Sequence, residues 1–172
     1  MQAPLELFQR VWPLGNGPTV GTLMDVCEES YDALMRLAPE LRIARGHLRA
    51  RAPKGADLHL QVLAQSRYTT EIRLTYAFPH APREGLPCLD PNARLCAYHD
   101  AMQVEVIDLH QSALPIYRHY AYPALDAKWK ANLFLARWLR YCVGQGFSFG
   151  AGAGLAAEVA DSPPQWEYQS VV

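Results

Sequence analysis

Asp57-Leu58-His59-Leu60-Gln61-Val62-Leu63-Ala64-Gln65-Ser66-Arg67-Tyr68-Thr69-Thr70-Glu71-Ile72-Arg73-Leu74-Thr75-Tyr76-Ala77 is the stretch that decides the fold class. Leu58, Leu60, Val62 and Ala64 alternate with His59, Gln61 and Gln65. After Ser66-Arg67-Tyr68, the residues Thr70, Ile72, Leu74 and Tyr76 alternate with Thr69, Glu71, Arg73 and Thr75. Side chains of a strand point to opposite faces in turn, so this period of two predicts strands over 57–65 and 69–77 joined by a turn. One polar face and one apolar face predict an antiparallel sheet covered on one side.

Working downstream, Pro79, Pro82, Pro87 and Pro91 predict a loop over 78–92. The sheet resumes over 93–98, turns at His99-Asp100, and returns over 102–108 with Met102, Val104 and Val106 on one side. Ile116–Tyr122 reads as one more short strand before Pro123. Upstream, a strand runs from His47 with Leu48, Ala50 and Ala52 on one side, and Pro53-Lys54-Gly55-Ala56 reads as a turn.

Two helices bracket the strands. Leu23, Met24, Cys27, Tyr31, Leu34 and Met35 recur at helical spacing, which predicts a helix over 22–38 with Thr22 and Asp25 as a variant capping box. Its other face carries Asp25, Glu28, Glu29 and Asp32. Such a stripe is a solvated face or a docking surface for a basic partner. The second helix, over 127–143, has Asp126 as N-cap and stops at Gly144. It is apolar around most of its circumference, with Lys130, Arg137 and Arg140 as a narrow polar stripe, so burial on more than one side is expected.

The expected fold is therefore α+β: an antiparallel sheet of about five or six strands, packed on one face by an N-terminal helix and a long C-terminal helix. Residues 1–18 read as an irregular lead, 19–149 as a single α+β domain, and 150–172 as a flexible tail hinged at Gly150-Ala151-Gly152-Ala153-Gly154. The chain has 172 residues, 50% hydrophobic and 19% charged, which is a globular composition able to bury a core. Its net charge of −1 argues against nucleic acid as a partner of the whole surface. No apolar run reaches the about 18 residues of a membrane span. Met1 to Trp12 lacks the basic and apolar segments of a secretory leader, so a cytoplasmic setting is expected.

Three segments together resemble the YqiB-like proteins, small bacterial proteins with no established activity. They are Arg67-Tyr68-Thr69-Thr70, then Leu95-Cys96-Ala97-Tyr98-His99-Asp100-Ala101-Met102, then the helix from Asn132 to Cys142. The resemblance spans residues 20–147 and implies a bacterial origin. It supplies no reaction.

Cys27, Cys88, Cys96 and Cys142 form no CxxC pair and read as buried thiols. The histidines at 47, 59, 80, 99, 110 and 119 form no metal-ligand spacing, so no metal or cofactor is expected. No GxSxG, GxGxxG or P-loop occurs. Tyr98-His99-Asp100 is the sharpest local feature, a base with a neighbouring carboxylate or simply a hairpin turn. Arg67, Tyr68 and Thr69 sit at another turn and offer groups suited to a phosphate or carboxylate. The run Arg42, Arg45, His47, Arg49, Arg51 and Lys54 is the strongest basic feature.

These residues favour a non-enzymatic binding or regulatory protein that recognises a protein partner or a small anionic, nucleotide-like ligand. The ligand would meet Arg49, Arg51, Arg67, Tyr68, Thr69, His99 and Asp100. One alternative is a phosphate-ester hydrolase using His99 and Asp100 with Arg67 on the anion. The other is RNA binding through the Arg42–Lys54 cluster. A homodimer through an open sheet face is left open.

Overall fold

The computed structural model describes residues 18–52, 55–78, 88–112, 125–150 and 158–159. Their elements in chain order are α1 (Val20–Leu37), β1 (His47–Ala50), β2 (Asp57–Gln65), β3 (Thr69–Phe78), β4 (Cys88–Tyr98), β5 (Gln103–His110), α2 (Leu125–Gly144) and β6 (Glu158–Val159). The strands form one sheet in the order β5-β4-β3-β2-β1-β6, every pair antiparallel. Strands β1 to β5 are thus a simple meander. Both helices lie on one face, and the fold is the α+β arrangement that the alternation and the two amphipathic segments imply.

The alternation fixes which face is buried. Leu58, Leu60, Ile72, Leu74, Ala93, Leu95, Ala97, Val104 and Val106 join Leu34, Leu37, Phe134, Leu135, Trp138 and Leu139 in one core. The opposite face carries His47, Arg49, His59, Gln61, Arg73 and Arg94, in register as His47↔Gln61, Arg49↔His59, Gln61↔Arg73 and Arg73↔Arg94. Truncating a fully buried leucine of this kind to alanine costs about 2–5 kcal/mol.

Several boundaries differ from the sequence reading, each for a local reason. Helix α1 starts earlier, because Thr19 rather than Thr22 is its N-cap. The Thr19 hydroxyl accepts from the Thr22 amide at 3.1 Å, and the Thr22 hydroxyl accepts from the Thr19 amide at 2.9 Å. Threonine at both ends of the capping box does what Thr22 and Asp25 were expected to do. Strand β4 begins at Cys88, inside the expected proline loop. Pro91 is accommodated because the register slips between Thr75 and Ala77, so the ladder does not need its missing amide there. The Thr75 hydroxyl instead donates to the Pro91 carbonyl at 2.8 Å. Helix α2 begins at Leu125, which places Asp126 in its first turn, paired with Lys130 at 2.6 Å, rather than at the cap. Met102, expected to open the returning strand, lies instead in the β4–β5 turn with φ 52°, and β5 starts at Gln103.

Glu158 and Val159, in the stretch read as a tail, pair with Arg49 and Leu48. The strand expected at 116–122, the lead before residue 18, Lys54, and the other tail residues beyond Gly150 lie outside the described residues.

Candidate functional site

The antiparallel meander brings the β2–β3 turn and the β4–β5 turn to the same end of the sheet. The two turns are tied directly, since the His99 amide donates to the Tyr68 carbonyl at 2.8 Å. The β2–β3 turn is closed by Ser66 and Thr69. The Thr69 amide donates to the Ser66 hydroxyl at 3.2 Å, and the two hydroxyls are 2.6 Å apart. At its tip the Arg67 guanidinium lies 5.2 Å from the centre of the Tyr68 ring, a cation–π arrangement on the surface.

His99 organises this end from inside. It is 6% exposed. Its Nδ1 is 3.1 Å from the Tyr31 hydroxyl of α1, and its Nε2 is 2.8 Å from the Thr70 hydroxyl of β3. Both partners are hydroxyls, so either can donate or accept, and a neutral ring satisfies both bonds. Burial lowers the proton affinity of the ring, the charge of Arg42 lowers it further, and Asp100 opposes them. Thr70 also lies 3.5 Å from Gln65 Nε2, which donates to the Leu41 carbonyl at 3.1 Å and to the Arg42 carbonyl. The Arg45 guanidinium bonds Gln65 in turn. A chain of polar contacts thus runs Tyr31–His99–Thr70–Gln65 and pins the loop that carries Arg42 and Arg45 to the sheet.

The residues singled out in the sequence separate into three groups. Arg67, Tyr68, Thr69 and His99 come together, and Arg42 joins them. Asp100 is exposed in the adjacent turn, where it lines a separate cavity with residues of α1. Arg49 and Arg51 lie toward the other end of the sheet, since β2 runs about 25 Å between its two ends. There Arg49 Nε donates to Asp57 at 2.8 Å, and the burial cost to Asp57 is outweighed by this bond and by the Ala52 amide, so its proton affinity falls. His47 shares its Nε2 with His59 Nδ1 at 2.9 Å.

Tyr31 and Gln65 escaped the sequence reading as members of this site, and Thr70, read there only as part of the Arg67–Thr70 turn, is a buried partner of His99. Thr70 and Tyr31 fall on the apolar phase of their elements, and a polar group in that phase is the signal that a buried partner must exist. The three described free cysteines do not offer a nucleophile. Burial pushes the Cys27 thiol up to about 11 and the Cys142 thiol up to about 12, and burial also raises Cys96. Among the described residues no group of histidine, cysteine or acid side chains is placed to hold a metal ion. No described helix is long and apolar enough to cross a membrane.

Comparison with known proteins adds a lineage. Residues 33–148 match the model of a family described as a protein of unknown function, DUF1249. The uncharacterized protein YqiB of Escherichia coli strain K12 is 34% identical over 137 residues, covering 75% of this chain and 91% of the relative. The YqiB proteins of strains O6:H1 and O157:H7 match to the same extent. No solved structure matches significantly.

Proposed function

The chain belongs to the DUF1249 family of proteins of unknown function, and on that footing we propose that it is a non-enzymatic binding protein that takes a small anionic ligand at the hairpin end of its sheet. The observation that carries this reading is the state of the cations. Arg49, Arg94, Lys128, Lys130 and Arg140 are each paired with a carboxylate. Arg36, Arg42, Arg45, Arg67 and Arg73 have no ion pair among the described residues, and of these the exposed Arg42 and Arg67 come from two different loops beside His99. Guanidinium groups held by a rigid frame are suited to a phosphate or carboxylate, and less entropy is lost when the frame is already ordered.

The hydrolase reading gains nothing from the geometry. Both ring nitrogens of His99 are engaged by hydroxyls, and Asp100 turns to another cavity. The RNA reading needs a continuous basic row, but Asp57 neutralises Arg49 in the middle of it.

Thermal-shift titration of the full chain with inorganic phosphate and with nucleoside mono- and diphosphates tests the proposal. A stabilisation that saturates, and that disappears in the Arg42→Ala, Arg67→Ala double variant, is the expected result. An unchanged melting temperature with every anion, or a shift that survives the double variant, rules this site out.

A further inference from the structure

The β4–β5 turn also borders a concavity whose charge is opposite to that of the hairpin-end arginines. A cavity of about 410 Å³ opens between α1 and the β4–β5 hairpin. Leu23, Met24 and Cys27 from α1 and Ala101 from the turn form its apolar lining, and Asp100 and Glu105 supply carboxylates. Glu105 is fixed in place: its Oε1 accepts from the Tyr98 hydroxyl at 2.8 Å and its Oε2 pairs with Lys128 at 2.8 Å. Asp100 has no ion pair among the described residues, nor has Glu28, exposed one helical turn on from Met24.

Apolar side chains of α1 and of the turn, in the lining or next to it in sequence, stand out into solvent. Met24 is 47% exposed, Val20, one turn before it, is 63% exposed, and Met102 is 62% exposed. Met102 also closes the hairpin turn with φ 52°, in the left-handed region that is strained for a non-glycine residue. Glycine would relieve that strain, yet a large apolar side chain is held outward there, directly beside Ala101 and Gln103 of the lining. Methionine side chains at a rim adapt to varied apolar partners.

We propose that this groove is a docking site for a segment of a partner protein that presents a lysine or arginine beside an apolar side chain. The apolar stem of the basic residue lies on Leu23, Met24 and Ala101, and its cationic head reaches Asp100 and Glu28. An acidic segment is repelled by the same carboxylates. The site is independent of the arginines at Arg42 and Arg67, and its failure leaves that reading untouched.

The test uses the full chain, labelled with ¹⁵N, and two synthetic peptides with one leucine pattern. One peptide carries lysine at every polar position and the other glutamate. The lysine peptide is expected to shift the amides of Met24, Ala101 and Gln103, and the glutamate peptide to leave them in place. Asp100→Asn with Glu28→Gln weakens the lysine peptide by about tenfold. Met102→Gly raises the melting temperature and weakens the same peptide, a split that a purely structural role for Met102 does not produce. Equal affinity for the two peptides overturns the proposal. So does an equal loss on Asp108→Asn, an exposed acid outside the lining of the groove, because that marks non-specific attraction. Concentration-dependent shifts of these amides without any peptide replace the partner with a second copy of this chain and likewise overturn it.

Discussion

The two buried histidine clusters show how single residues set the pH response of this fold. His59 is 9% exposed, and burial, the neighbouring His47 and Arg49 push it down to about 4, against the pull of Asp57. His99 is lowered as well, by burial first and then by Arg42. A histidine of depressed proton affinity is neutral in the folded chain while the unfolded chain protonates near pH 6.5. Its contribution to stability is therefore complete above about pH 6.5 and is lost as the pH falls toward the folded value. Urea unfolding is expected to show a midpoint that drops between pH 7 and pH 5, with a shallower drop in His59→Gln. A midpoint constant over that range is incompatible with neutral buried histidines. Thr70→Val and Tyr31→Phe each remove one bond to His99 and are expected to cost about 1 kcal/mol in the same assay at pH 7.5.

Among the elements, the edge strand β5 is the one whose solution is least obvious. Its Val106 amide donates to Asn132 Oδ1 of α2 at 3.0 Å, and the Asn132 amide nitrogen donates to the Lys128 carbonyl at 2.8 Å. The Cys27 thiol of α1 reaches the same Oδ1 at 3.8 Å. One fully buried asparagine thus joins both helices to the sheet and satisfies an edge group that water cannot reach. Asn132→Ala leaves the Val106 amide buried without an acceptor, and the expected loss is about 1–3 kcal/mol. Hydrogen exchange at Val106 is the direct readout, and it should quicken more than exchange at Val104. Met102→Gly is expected to stabilise by about 1 kcal/mol, since glycine occupies the left-handed region freely.

On the scale of the whole molecule, the two ends of the chain order meet different boundaries. Strand β1 has only four residues and is flanked by β2 on one side and the two residues of β6 on the other. Removal of residues 151–172 is expected to speed amide exchange in β1 while exchange in β3 and β4 stays as it was, because those strands keep both neighbours. Equal loss of protection across the sheet would mean that β6 supports the fold globally. Charge is also divided at this scale. The hairpin end shows Arg42 and Arg67, the neighbouring groove shows Asp100 and Glu105 with Glu28 exposed on α1 next to Cys27 of the lining, and the near-zero net charge conceals the division.

The period-two runs and the two apolar helical stripes by themselves determined the fold class, the strand pairs 57–65 and 69–77, and the buried face. Local sterics and burial act over neighbouring residues, so a single strand's alternation already contains that information. The sequence also marked Arg67, Tyr68, Thr69 and His99 as belonging to turns, and the meander placed those turns together. Only the tertiary structure decided what each polar group does. His99 and Asp100 are adjacent in the chain, yet one faces Tyr31 and Thr70 inside the core and the other faces a groove outside it. Arg42 and Arg49 look alike in a basic run, but Asp57 takes one and leaves the other exposed. Partners of this kind lie 8, 29 or 68 residues apart, and no local pattern carries a pairing that only the packed sheet and helices create.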